Sequence, residues 1–374
     1  MQWHATEQQS QLADALERFM QRDYSFEQRR ALAAGAGFSP QSWALLAELG
    51  ITALLVPETF GGLGASVQDG LHALQTLAPA LPLEPVVASS LLATHLLSGC
   101  SETAAARAWL PRMAEGRAIA TPAHFEAEQG FATEQPQTQA RHDGDGWLLH
   151  GAKSLVLQAQ FADVLLVSAT AGDGQMAWFA VEPGSSGVHL RAYPLLDGQR
   201  AANVTFDGVR LLAAARIDRP GQGAALYGAM HDVWLAALCA EAVGILQATL
   251  DATVTYLNTR QQFGQPIGRF QVLQRRAVRM WMELEQARSM ALLAADVCTQ
   301  GDAVQRTRLL AAAKARVGQA CSYVSQQAVQ LHGGMGMTDE MQVSHWFKRL
   351  TVIELWLHDS DSHLQRYANS LRAA

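Results

Sequence analysis

At 374 residues the chain exceeds the roughly 250–300 residues that one hydrophobic core supports, so two or three domains are expected, and 49% apolar residues leave surface for subunit contacts. A net charge of −6 provides no basic footprint for phosphate backbones, which sets nucleic acid aside as a partner. Four scattered cysteines without a CxxC pair suit neither a zinc site nor a disulfide framework, and their default setting is a reducing, cytoplasmic compartment.

In chain order, Met1–Ser10 is polar and lacks the basic and apolar regions of a signal peptide, and no later stretch reads as a membrane span. Helical spacing of apolar residues predicts helices over Gln8–Met20 and Val86–Leu97. Ser39 as N-cap, Pro40 in the first turn and Gly50 at the end bound a short helix over Gln41–Leu49. Between these, Val56-Pro57-Glu58 and Gly61-Gly62-Leu63-Gly64 read as a connecting loop.

From about Ala118 the pattern shortens to strands over Trp147–Leu149, Val164–Val167, Trp178–Val181, Val188–Leu190 and Val204–Phe206. Asp143–Gly146 and Gly172–Gly174 fall between them as turns, which predicts a small antiparallel β-domain. Beyond Gly221, Phe270, Ala277, Leu284, Ala291 and Cys298 recur every seven residues, with Leu273, Met280, Ala287 and Ala294 between them. This is the seam of a long packed helix, and flanking helices over Ala224–Asn258 and Val304–Leu331 predict a four-helix bundle. The expected fold class is α+β, with an α-domain over 1–117, a β-domain over 118–220 and a bundle over 221–374.

Two segments break the helical runs: Thr259-Arg260-Gln261-Gln262-Phe263-Gly264-Gln265-Pro266-Ile267-Gly268-Arg269-Phe270-Gln271, and Gln330-Leu331-His332-Gly333-Gly334-Met335-Gly336-Met337-Thr338-Asp339-Glu340. Each puts glycines and donors at a helix boundary, where an anion can approach closely and Arg260 can meet a phosphate. Each alone also reads as an ordinary turn and an ordinary helix end. As a pair they resemble the C-terminal signature of acyl-CoA dehydrogenases. Glu48-Leu49-Gly50, Val56-Pro57-Glu58, Gly61–Gly64 and Gly146–Lys153 carry the resemblance over nearly the whole chain.

The resemblance implies FAD, an acyl-CoA substrate, a tetramer built as a dimer of dimers, and an electron-transfer flavoprotein as acceptor. It implies that Arg260, Phe263, Gln330, Gly333 and Gly334 are given to the FAD of a neighbouring subunit, with Phe270 and Gln271 at the adenine end. The side chains that cradle the flavin ring in the family's own-subunit half become Phe125, Phe131, Leu155 and Leu157 here, and none donates a hydroxyl hydrogen bond. The family's usual catalytic glutamate position is Leu357, and its alternative is Trp234. Glu354 and Asp359 are the nearest carboxylates, and they read more simply as a helix-end charge and an N-cap. Glu241 reads as one partner of an ion pair. His345, His358 and His363 beside Asp359 and Asp361 lack metal-ligand spacing, so no metal is expected.

The closing stretch Phe347–Thr351 and His358–Leu364 resembles the branch that holds the pimeloyl-CoA dehydrogenase small subunit and base-lacking subunits of heterotetramers. The expectation is therefore a subunit of an α2β2 enzyme in which a paralogous chain binds the flavin. The alternatives are a self-sufficient homotetramer with a non-standard base, and a flavin-free structural paralogue.

Overall fold

A computed structural model describes residues 5–131 and 135–372, so the first four residues of the polar Met1–Ser10 stretch lie outside the described residues. The chain divides into two compact units. One comprises Glu27–Gly70 and Leu83–Trp234; the other comprises the described residues of Met1–Phe26, Leu71–Pro82 and Leu235–Ala374.

Helices α1 (Glu7–Asp23), α2 (Phe26–Ala34), α3 (Pro40–Glu48), α4 (Val67–Leu77), α5 (Thr94–Ser98) and α6 (Ala104–Ala114) make up the N-terminal third. The α3 helix starts as its sequence dictates: the Ser39 hydroxyl accepts from the Ser42 amide and proline occupies the first turn. Its Trp43 indole N–H donates to the Gly116 carbonyl and its core face is buried. The stretch expected to be one α-helix over Val86–Leu97 is π-helical from Val86 to Ala93 and becomes α5 only at Thr94. Every turn of it is apolar or small, so no periodic stripe marked the wider winding.

The sheet contains β1 (Ala120–Ala123), β2 (Gln139–Asp143), β3 (Gly146–Leu157), β4 (Val164–Ala171), β5 (Met176–Val181), β6 (Val188–Pro194) and β7 (Arg200–Leu212). It is mixed, not purely antiparallel as expected: β1 and β2 both pair parallel with β4. Both are short and only partly apolar, so neither carried a strand signal strong enough to reveal its direction. The other pairings are antiparallel, and β3 with β7 forms the longest ribbon, interrupted by bulges after Leu149 and after Lys153. Gly144 supplies the positive φ of the two-residue β2–β3 turn, because Asp143 pairs with Gly146. Inward residues Trp147, Leu165, Val167, Phe179, Val204 and Phe206 form the core of this unit.

The remaining elements are α7 (Gly223–Thr259), the short hairpin β8 (Gln261–Gln262) and β9 (Gln265–Pro266), α8 (Gln271–Val297), α9 (Ala303–His332), α10 (Gln342–Leu355) and α11 (Ser360–Arg372). The heptad seam of α8 is buried from Met280 through Leu284, Ala287, Ala291 and Ala294. Contrary to the sequence reading, α7 is long and apolar enough to cross a membrane, but 89% of its apolar window is buried inside the fold. Its hydrophobicity runs all round because it is a core helix. Gly244 lets α7 approach the α4 end closely: a Cβ there would stand 2.1 Å from the Gln75 carbonyl oxygen.

Glu241 on α7 and Arg349 on α10 form a buried, two-bond ion pair, with Nε at 2.7 Å and Nη2 at 2.6 Å from the two carboxylate oxygens. An Arg349→Met change, which leaves Glu241 charged and buried, is expected to cost about 3–5 kcal/mol, whereas Met at both positions recovers most of the loss. Urea midpoints of the helical unit in the two variants check this.

Candidate functional site

The two glycine segments lie beside each other in the helical unit. The Arg260 amide donates to the Tyr256 carbonyl, and the Tyr256 ring stacks on His332 with centroids 4.4 Å apart. His332 Nδ1 is 2.8 Å from the Ala328 carbonyl, which orients the ring. Burial lowers the His332 pKa, and that hydrogen bond works against the shift. The imidazole thus serves as an apolar plate between α7 and the end of α9.

Beyond this plate the hairpin turns on Phe263 and Gly264, both with positive φ, as a two-residue turn between paired Gln262 and Gln265 demands. Glycine tolerates this; phenylalanine does so only under strain, and strain of this kind concentrates at functional positions. The strained residue holds its ring outward, 90% exposed and edge-on to Phe270 at 6.0 Å. The Arg260 guanidinium is exposed, with no side-chain hydrogen bond or ion pair among the described residues. Gln330, Gly333, Gly334 and Gln271 are exposed on the same unit. Gly333 adopts φ 60° and ψ −144°, a conformation close to glycine-only, and a Cβ on Gly333 or Gly334 would meet nothing within 4 Å. An unpaired cation, an exposed ring and open backbone fit one side of a planar, phosphate-bearing group such as FAD.

Where the resemblance places the family's base, the side chain is no proton acceptor. Leu357 is fully buried, and it and His358 hold positive φ values of 58° and 78°. The loop is clamped: Lys314 Nζ donates to the Glu354 and His358 carbonyls, and His363 Nε2 lies 2.8 Å from the Leu357 carbonyl. Burial lowers the Lys314 pKa. Both nearby carboxylates act as caps, with Glu354 accepting from the Ser360 amide and Asp359 from the Ser362 amide. The Asp359 carboxyl is held below its usual range by the Ser362 hydrogen bonds. Among the described residues no group of three or more His, Cys, Asp or Glu is placed to hold a metal.

The sheet-containing unit brings four more of the singled-out residues together. Phe125, Leu155, Leu157 and Trp234 converge with Ala88, Leu92, Thr121, Pro122 and His124 around a space of about 10 Å³. That is room for about one water, against the roughly 300 Å³ or more of a ligand pocket. Phe125 packs on Trp234 at 5.4 Å across this space, and Phe131 braces Phe125 at 5.1 Å. The bulge after Lys153 sets Leu155 at φ 52° and lets the Ser154 amide reach the Phe125 carbonyl. These residues do not fit a flavin ring: they leave no space for it, and the hydroxyl of Thr121 already donates to the Leu157 carbonyl.

Sequence reasoning missed the polar cluster behind this wall. Lys153 Nζ is buried and donates to Glu126 Oε1 at 2.7 Å, to Ser168 Oγ and to the His124 carbonyl. His124 Nδ1 lies 2.9 Å from Ser168 Oγ, and the ring stacks on Tyr227 at 3.9 Å. Glu126 and the hairpin lysine could each be placed from the resemblance, but nothing in the sequence showed that the two, 27 residues apart, are paired. Burial brings the Lys153 ammonium down to about 8, opposed by Glu126. Burial pushes the Glu126 carboxyl up, but the Lys153 charge and hydrogen bonds from Lys153 and Thr138 outweigh it and hold the group below its ordinary 4.5.

A depressed carboxyl pKa stabilises the fold fully above pH 4.5, and this stabilisation is lost as pH falls through the folded value. A Lys153→Met change is therefore expected to cost about 3–5 kcal/mol at pH 7 and less in acid, where protonated Glu126 no longer needs the cation. Urea midpoints at the two pH values measure this.

Family models match residues 6–117 (acyl-CoA dehydrogenase, N-terminal domain), 123–209 (middle domain) and 228–371 (C-terminal domain). The chain is 27% identical over 377 residues to a probable acyl-CoA dehydrogenase, YngJ, of Bacillus subtilis (strain 168), covering 98% of each. Among solved structures, a variant of the Tcur3481-Tcur3483 steroid ACAD superposes with a TM-score of 0.87 at 26% identity over 98% of each chain. The ChsE4-ChsE5 complex from Mycobacterium tuberculosis shares the fold with a TM-score of 0.88 at 24% identity over 100% of each chain. The N-terminal helical, middle β and C-terminal helical parts, the paired motifs and the matched models together establish that the chain belongs to the acyl-CoA dehydrogenase family.

Proposed function

We propose that this chain is the subunit of a heterotetrameric acyl-CoA dehydrogenase that completes the FAD site of a paralogous partner. The observation that carries this reading is the contrast between its two halves. Arg260, Phe263, Gln330, Gly333 and Gly334 are exposed and open, while Phe125, Leu155, Leu157 and Trp234 leave about 10 Å³. Two of the similar structures concern pairs of named chains, Tcur3481-Tcur3483 and ChsE4-ChsE5, which supports pairing with a different chain.

When bound, FAD supplies the two-electron acceptor for α,β-dehydrogenation of the acyl thioester. This chain's part is positional. Arg260 meets phosphate charge with a planar fork, the outward Phe263 ring offers a stacking face, and Gln330 with the glycine backbone supplies close polar contacts. Because Leu357 cannot accept a proton, the base that removes the α-proton belongs to the partner, and electron-transfer flavoprotein is the expected acceptor of the electrons. The acyl group is to be found by assaying fatty, dicarboxylyl and steroid side-chain thioesters, with the steroid class first because of the steroid ACAD likeness.

Co-expression with a paralogue is expected to yield a yellow complex with one FAD per pair of chains. Arg260→Ala in this chain weakens retention of that FAD by about 10–100-fold, the loss of one charge-assisted hydrogen-bonding group. Absorbance near the flavin bands, normalised to protein, measures both. A chain that is yellow when expressed alone, holds one flavin per subunit and turns over acyl-CoA overturns the proposal.

A further inference from the structure

We infer that Trp234 is the specificity-determining residue that closes this chain's own flavin-ring chamber, so that in any pair of chains the isoalloxazine can sit only on the other one. The inference deepens the reading above and rests on it for what the chamber would hold. The closure itself is seen directly in one compact unit. Trp234 comes from α7, Phe125 from the segment after β1, and Leu155 and Leu157 from the bulged end of β3, so three separate elements each contribute one wall. Their convergence on about 10 Å³ makes this core rather than a pocket awaiting a ligand.

Among these residues Trp234 is the plug. It is the largest side chain lining the space, it is 6% exposed, and its ring faces Phe125 at 5.4 Å with 34° between the planes. Phe125 is in turn braced edge-on by Phe131 and has His124 beside it at 5.7 Å. The His124 ring is itself held by Ser168 Oγ and stacked on Tyr227, which restrains this part of the wall. Trimming the plug should therefore leave a real cavity, on the order of the 150 Å³ apolar cavities that take up benzene.

The test uses the full chain alone and two probes that carry no phosphate, lumiflavin for the flavin ring and indole for the tryptophan side chain. For the natural chain, lumiflavin fluorescence is expected to be unquenched and the melting temperature unchanged by either probe. Trp234→Ala should melt about 5–10 °C lower and recover part of that loss in millimolar indole. Trp234→Phe should fall less and stay blind to lumiflavin. Quenching of lumiflavin by the natural chain, with a raised melting temperature, overturns the inference. So does a Trp234→Ala protein that melts like the natural chain and ignores indole. If Trp234→Ala does not fold, the natural chain and Trp234→Phe still decide the matter. Neither probe carries a phosphate for Arg260 to meet, so failure of the co-expression test with Arg260→Ala would leave these results intact, and the reverse also holds.

Discussion

The Lys153–Glu126 pair, buried at 2.7 Å, is the constraint around which the sheet-containing unit is arranged. A cation and a carboxylate withdrawn from water must satisfy each other and their remaining bonding capacity, and here every neighbour helps. Glu126 also accepts from the Gln137 and Thr138 amides, which closes the loop between β1 and β2. Lys153 takes the His124 carbonyl and Ser168 as well. With those bonds made, the chain on either side of Glu126 has little freedom, and Phe125 faces the chamber by consequence. The apolar wall rests on a polar anchor.

Much of this architecture was legible in the sequence because it depends on periodicity and caps. The α3 boundaries followed from Ser39 and Pro40, the α8 seam from its heptads, and the hairpin strands from alternation around Asp and Gly turns. What was illegible depends on partners far away in sequence. The direction of β1 and β2 is set by β4, roughly 30 to 45 residues later, and four- or five-residue strands carry no directional signal of their own. The π-winding of Val86–Ala93 is invisible in an all-apolar run. The length and apolar character of α7 went unremarked in the sequence, and burial within the fold marks it as a core helix.

The site divides along the same line. Motif residues such as Arg260 and Gly333 are recognisable because short-range chemistry demands them: a hairpin turn, a helix end, a free guanidinium. The replaced residues could be named from the sequence, but not what their replacement achieves. That Phe125 and Trp234 meet, about 110 residues apart, is a tertiary fact, and only it distinguishes a weakened site from a filled one.

The outward face of the helical unit has a consequence for the life of the unassembled chain. Phe263, Val272, Val278, Trp281, Met282 and Met337 are all at least half exposed. If the chain pairs as proposed, a copy made in excess of its partner keeps these side chains open to chaperones and proteases. The thioethers of Met282 and Met337 also stand open to oxidation, which would turn an apolar side chain into a polar one. Under the proposed pairing, matched synthesis of the two chains is a demand of proteostasis, since each of these side chains on a lone copy stays open to water.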